Sequence, residues 1–580
     1  MPSGFRRDKP LLVLVGTYGE KLPHVQGEGE GVYALLLDRR TLSPLSGSRF
    51  HGVAQLRSTR NPSWITSWRD PLTGQLYCYV ADERTDTGLI FAARVDEASG
   101  ELTQLGSPMS AGGSGTCHCA VAPGGRHVVA ANYGSGSVVA IERLPDGSLG
   151  RQAALVQLPP KGVLVDTPIG KCEILVRFPR VNAARQEGSH AHHVVFSPRR
   201  PTEHTAAGDE AFTLLVPDLG SDVVWALEYK PGAEQQQNVL RQQENVLRPV
   251  AQQQQNVLRQ QENAVRPAVL QEHDILRPVA VTAVHGGLFD GGGCRHVALH
   301  PDPRVRVAYV AYELTSQVAA YAVDPATGHP TGTPLPPGPV CILDATAPPS
   351  VSAPGHPSVC APPPPSVSAP MGLSVPFGPS GGDARSRCVR LVRHRPGQPP
   401  HCSDKDTSAA ALRVCPENKT RPAGENKTPG GENGARPAGG HLLVSSRVAG
   451  QNGALSAIGL DETGRLVPPS NVAPLGIACT LGRTPRDFVL VWREGKGGGD
   501  RPRFESYFGF KPWPFASSFP FLGQGYFGQP VALVANQDSG TIAAIPVTGG
   551  GVSAVIARVP TPVCLCLAPE DSISAEPPYG

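Results

Sequence analysis

Ala131-Asn132-Tyr133-Gly134-Ser135-Gly136-Ser137-Val138 sits inside the apolar segment Val128–Ile141. Asn, Gly and Ser between two alternating apolar runs are hairpin chemistry, because these residues tolerate the tight backbone of a turn. The same design returns three times: Pro217-Asp218-Leu219-Gly220-Ser221-Asp222-Val223, Glu313-Leu314-Thr315-Ser316-Gln317-Val318 and Asn536-Gln537-Asp538-Ser539-Gly540-Thr541-Ile542. Each corner joins an apolar strand to a second alternating strand. Seven segments follow this pattern. They are Leu11–Tyr18 leading to Gly31–Leu37, Leu76–Asp82 leading to Leu89–Val95, Val128–Ile141, Leu214–Leu227, Ala308–Val323, Leu442–Ile458 and Ala532–Val547.

Upstream of several hairpins lies another recurring piece, a polar residue followed by a short apolar strand and usually a proline. It reads His118–Pro123, His192–Pro198, Arg295–Pro301, Leu412–Pro416 and Arg486–Val491. Each unit thus holds an inner strand, a turn and two or three further strands, which is a four-stranded blade. The composition agrees. Gly 66 and Pro 61 exceed a fifth of the 580 residues, and both break helix interiors. The expected fold is all-β, a seven-bladed β-propeller of four-stranded antiparallel blades spanning residues 8–570 as one domain.

Four stretches read as insertions. The Gln-rich repeat at 234–280, the Pro/Ser/Ala-rich stretch at 325–406 and the Glu-Asn-Lys-Thr repeat at 417–440 offer too little apolar surface to offset ordering entropy, and are expected to be disordered. The fourth, 493–529, carries Phe and Trp among Gly and Pro, so its state is left open. Removing all four leaves roughly 390 residues, about 55 per blade, near the ~40–50 of propeller repeats. The Gln-rich and Pro-rich insertions are the segments available for protein contacts.

The formal net charge of +3 implies no nucleic-acid or membrane partner. No apolar run approaches the ~20 residues of a membrane span. The run Leu11–Val15 is too short for a signal sequence, so a cytoplasmic location is expected. The thirteen cysteines contain no CxxC pair and read as reduced, buried residues. Cys117/Cys119 and Cys564/Cys566 would each share a strand face, but no metal site is expected. The sequons at Asn418 and Asn426 lie in low-complexity sequence and carry little weight.

In a propeller the first residues of the inner strands project towards one mouth of the central channel. His118, His192, Arg295, Arg486 and Arg413 should gather there, with Glu313 and Arg447 from nearby corners. No Gly-x-Ser-x-Gly elbow, Walker loop or HExxH competes. Gly291-Gly292-Gly293 precedes a strand and reads as a turn.

At these residues the chain resembles the seven-bladed propeller lactonases, which include cycloisomerase-type 6-phosphogluconolactonase and the carboxymuconate lactonising enzyme. The matching pieces include Gly16-Thr17-Tyr18, Asn61-Pro62-Ser63, Ser189-His190-Ala191-His192-His193, Cys294-Arg295-His296, Ser446-Arg447, Thr484-Pro485-Arg486 and Val559-Pro560-Thr561-Pro562. The similarity covers every blade. It implies a hydrolase opening 6-phospho-D-glucono-1,5-lactone, with His192, Glu313, Arg295 and Arg447 as the catalytic group; His118, His190 and Arg486, from their place at the strand openings, are the expected substrate-binding residues.

Under this reading the substrate is a small anionic sugar lactone and no cofactor or metal is required. Guanidinium groups suit such an anion. His192 is the expected general base, Glu313 orients it or serves as base itself, and Arg295 and Arg447 hold the phosphate or the oxyanion. His190 shares the strand face of His192, whereas His193 should point away; His296 and Asp487 should face the sheet packing. Two other readings stand beside this one: a muconate-type cycloisomerase using the same residues, and a non-catalytic propeller that binds proteins. A salt bridge of purely structural value is the rival account of Arg295 and Glu313.

Overall fold

The computed structural model describes residues 9–45, 49, 51–158, 164–167, 170–173, 185–199, 212–230, 275–283, 291–342, 407–415, 440–448, 451–467, 476–494, 528–547 and 553–571. These residues contain short strands and single 3-10 turns, with no α-helix among them. The strands form seven antiparallel sheets of four or five strands, each containing one of the expected hairpins. Seven units of four strands, two of them with a fifth short strand added, make the seven-bladed propeller foreseen from the repeats.

Six blades are contiguous in sequence. Their inner strands are Pro62–Arg69, Thr116–Val121, Val195–Pro198, Cys294–Leu299, Thr407–Cys415 and Pro485–Glu494, in blades two to seven. Blade one is composite. Its inner strand is the C-terminal Pro562–Leu567, which pairs with Leu11–Thr17, so that Val13 faces Leu567 and Gly16 faces Cys564. Gly16 is a close-approach position: a β-carbon there would lie 2.2 Å from Pro62 O and 2.5 Å from Cys564 Sγ.

The second strand of a blade is apolar without interruption because both its faces are covered. In His127–Asn132 every residue is buried. Val128 and Ala130 pack towards blade two with Tyr77 and Tyr79, while Val129 and Ala131 pack towards blade four with Leu214 and Trp225. Sandwiching between neighbours removes the polar alternation that a one-sided sheet would carry. The corners are fixed by buried carboxylates. Asp218 accepts from Ser189 Oγ, the His190 and Ser221 amides and Trp225 Nε1. Asp222 accepts from the amides of Gly291, Gly292 and Gly293 at 2.7–3.1 Å. That glycine run is a turn, as expected, and its amides wrap a carboxylate of the chain itself.

The insertion boundaries need correction. The last part of 234–280 enters the strand Leu276–Ala283, which completes blade four against Val223–Tyr229. The stretch 325–406 gives up Pro330–Pro334 and Val340–Cys341 as outer strands of blade five. Both were hidden by proline-rich surroundings; outer strands lie at a sheet edge, where proline is tolerated. Arg493 and Glu494 pair with Gln529 and Gly528, so the ends of 493–529 belong to blade seven. Within 417–440 only Gly440 lies among the described residues, so the sequons fall outside them. Cys341 is disulfide-bonded, against the expectation of reduced thiols throughout.

Since Glu494 and Gly528 already face each other across the hairpin, a two-residue turn can join them. Replacing residues 495–527 by Asn-Gly should leave the melting temperature within about 1 °C of the parent, a change of no more than ~1 kcal/mol for a domain of this size. Calorimetry checks this.

Candidate active site

The mouth of the channel is built by one irregularity repeated around the ring. In blade three, Thr116 faces Asn132 but His118 faces Ala131, leaving Cys117 as an extra residue. The same β-bulge leaves Ser63, Arg295, Ala410 and Arg486 extra in blades two, five, six and seven. In blade one it leaves Val563. In blade four the bridge Ala191–Asp218, followed by the pairing Val195–Leu215, puts His192 at the equivalent place. A bulge re-aims its extra residue and shifts the phase of everything beyond it.

A second ring comes from the corners. The residue after each second strand donates its amide to the carbonyl just before the inner strand. Tyr18 donates to Thr561, Glu83 to Asn61, Tyr133 to Gly115, Leu219 to His190, Glu313 to Gly293 and Gln537 to Thr484, all at 2.7–3.1 Å. Arg447, opposite Ser408, holds this place in blade six. The four expected catalytic residues fall on these two rings: His192 and Arg295 at bulges, Glu313 and Arg447 at corners.

They meet at Glu313. Its Oε2 accepts from Arg295 NH1 at 2.5 Å, and its Oε1 from Arg447 NH2 at 2.8 Å. Arg185, which the sequence reading did not single out, also reaches Oε1, at 3.3 Å. Arg185 comes from the segment before blade four and is held by Tyr133, whose hydroxyl accepts from Nε at 2.8 Å. Its repeat-free surroundings gave no signal. Burial would raise the Glu313 carboxyl, but Arg295, Arg447 and Arg185 outweigh that and hold it well below the ordinary range. Burial and its cationic neighbours push Arg447 down to about 9, with Glu313 opposing the shift. At neutral pH it therefore remains charged, and its buried Nε is left without a partner.

His192 is engaged in the same cluster. Its Nε2 accepts from Arg295 NH1 at 2.7 Å, and Nδ1 lies 3.9 Å from Cys117 Sγ. Burial, then Arg295, keeps the ring neutral by lowering its pKa well below 6.5. The lone pair that a general base would use is therefore occupied, as are both oxygens of Glu313. The geometry makes this group an arginine clamp around one carboxylate.

The expected binding residues divide. Arg486 lines the mouth at a bulge and donates to Tyr18 Oη at 3.2 Å. His190 stacks on Tyr133, ring centroids 4.4 Å apart, and its ring nitrogens face Tyr133 O and Glu187. His118 lies one level deeper, 1% exposed, beneath the bulge ring. There it contacts His193 and Trp64, with centroids 3.9 and 4.2 Å away, and His193 lies 4.6 Å from His296. Asp487, in the same register position, accepts from Arg413 at 3.1 Å, so Arg413 too stands below the mouth. The expectation that His193, His296 and Asp487 face the sheets is thus overturned; strict alternation fails beyond a bulge. The bulge also parts Cys117 from Cys119. Cys117 touches His192, whereas Cys119 packs between blades two and three.

The family model "Lactonase, 7-bladed beta-propeller" matches residues 12–248. The resemblance read from the motifs is thereby borne out, although Arg295, Glu313 and Arg447 lie beyond the matched stretch. The 6-phosphogluconolactonase of Bacillus subtilis is 24% identical over 315 residues, which are 54% of this chain and 63% of that relative. A protein from Bacteroides fragilis, provisionally named a 6-phosphogluconolactonase, superposes with a TM-score of 0.50 at 17% identity, covering 97% of this chain and 99% of its own. A Lactobacillus plantarum protein gives a TM-score of 0.50 at 20% identity, covering 96% and 98%. At these identities the two structures speak for the propeller fold alone.

The histidine layer has a consequence for acid stability. Burial, reinforced by neighbouring cations and histidines, lowers His118, His193 and His296 well below 6.5. The unfolded chain therefore binds protons that the folded chain refuses, and stability falls as pH drops below about 6.5. The melting temperature should be flat from pH 8 to 7 and decline from 6.5 to 5. His118→Gln should make that decline shallower.

Proposed function

We propose that this chain hydrolyses an anionic sugar lactone, with 6-phospho-D-glucono-1,5-lactone as the leading substrate. The observation that carries the reading is the convergence of Arg185, Arg295, Arg447 and Arg486 on one mouth whose corner ring holds two carboxylates among the described residues, Glu313 and Glu83. A surplus of guanidinium groups at a concave polar site suits a phosphate, which they bind through paired N–H donors. A relative that carries the name 6-phosphogluconolactonase supports the same substrate class.

The chemistry follows from the clamp. Glu313 fixes Arg295 and Arg447 before substrate arrives, so their remaining donors need no reorganisation when charge develops on the lactone carbonyl oxygen. Arg185 is the most accessible of the clamp arginines, its side chain 37% exposed against 6% for Arg295 and 18% for Arg447. It is the group placed to meet a phosphate arriving from solvent.

The test is hydrolysis of freshly generated 6-phosphogluconolactone against the spontaneous rate. The wild type should exceed that rate clearly. Arg185→Ala should raise KM for the phosphorylated lactone about tenfold, the loss of one charge-assisted hydrogen bond. It should leave KM for unphosphorylated glucono-1,5-lactone within twofold and the melting temperature nearly unchanged. Wild-type hydrolysis at the spontaneous rate would overturn the reading and turn attention to muconate-type substrates, then to a binding role.

A further inference from the structure

The mouth contains a second corner carboxylate that the clamp does not use. Glu83 follows the second strand of blade two as Glu313 follows that of blade five, and both amides make the same corner hydrogen bond. Their surroundings differ. Three arginines hold Glu313, whereas no ion pair to Glu83 occurs among the described residues. The Glu83 Oε2 accepts from Tyr18 Oη at 2.6 Å, and Asn61 Nδ2 pins its backbone carbonyl at 2.8 Å.

Tyr18 is in turn oriented by Arg486, which donates to the same hydroxyl at 3.2 Å and lies over the Tyr18 ring, 5.7 Å from its centroid. The carboxylate is therefore steadied through one oxygen, while the other, Oε1, has no hydrogen-bond partner among the described residues. Glu83 is half-buried on the arc of blades seven, one and two, and the clamp spans blades four to six. Its charge still reaches the centre, where it helps burial raise the Cys117 thiol beside His192.

Resting on the lactonase reading, we propose that Glu83 is the general base of this site, with Tyr18 and Arg486 as its positioning residues. His192 Nε2 and both Glu313 oxygens already accept hydrogen bonds from guanidinium groups, so Glu83 is the corner carboxylate with an oxygen open to water. In the proposed step Oε1 takes a proton from a water molecule as the water oxygen bonds to the lactone carbonyl carbon. The electron pair of the C=O bond moves onto its oxygen, which the clamp arginines stabilise. The pair then returns, the bond from carbon to ring oxygen breaks, and protonated Glu83 delivers its proton to that leaving oxygen. Water and lactone are consumed, a hydroxy acid is formed and Glu83 is regenerated.

The experiment compares wild type, Glu83→Gln and Tyr18→Phe on the phosphorylated lactone across pH, with melting temperatures measured alongside. Glu83→Gln should lower kcat about a hundredfold or more with KM within threefold, and should abolish the acid limb of the kcat/KM profile. Tyr18→Phe should reduce kcat more mildly and shift that limb without removing it. Should the Gln variant fail to fold, Glu83→Asp takes its place, with at least a tenfold loss in kcat expected. An active wild type with an equally active, folded Glu83 variant overturns the proposal and leaves the lactonase reading intact. An inactive wild type overturns both.

Discussion

The mouth of this propeller depends on one extra residue in the inner strand of every blade. In a regular antiparallel strand, neighbouring side chains point to opposite faces, and a channel would receive every second residue. A bulge at the same place in all seven blades breaks that rule once per blade. It swings His192, Arg295 and Arg486 towards the mouth and sets His118, His193, His296 and Asp487 in a layer directly beneath. Two stacked rings of polar groups thus arise from strands whose remaining residues serve only to pack blade on blade.

The clamp stands on that backbone. A buried carboxylate is costly unless it is paired and hydrogen-bonded, and a buried arginine equally so. Glu313, 2% exposed, meets the requirement with three guanidinium groups drawn from blade five, blade six and the segment before blade four. Such a cluster contributes less to stability than to geometry: each arginine is fixed by a carboxylate that sits at a corner and cannot retreat into solvent. The site is held in its working arrangement before any ligand arrives, which is the condition for strong electrostatic stabilisation of developing charge.

Much of this was legible in the sequence. The corners such as Ala131–Val138 disclosed the hairpins, because Asn, Gly and Ser are required where the backbone turns, and the hairpin count disclosed the ring. Strand openings and corners placed His192, Glu313, Arg295 and Arg447 at the mouth among other polar residues, and the resemblance to the propeller lactonases singled out these four. Arg185 escaped because it belongs to no repeat, and it is recognised only by the Tyr133 hydroxyl and Glu313 carboxylate it touches. The direction of His193 and His296 escaped for another reason. A bulge leaves no compositional mark, so counting by twos along the strand gives the wrong face. The outer strands Leu276–Ala283 and Pro330–Pro334 escaped because edge strands do not need the apolar alternation that identifies central ones.

Blade one carries a consequence for how the protein is made. Its inner strand is supplied by Pro562–Leu567, and Leu11–Thr17 has no inner neighbour until those residues exist. During synthesis the first strand leaves the ribosome with an open edge and waits for nearly the whole chain, a contact of extreme sequence separation and hence slow to form. The hydrogen bond from Arg486 to Tyr18 crosses the same seam. A nascent chain therefore has six finished blades and an incomplete mouth until Pro562–Leu567 docks, and a chain cut off just before residue 562 keeps an adhesive edge along Leu11–Thr17.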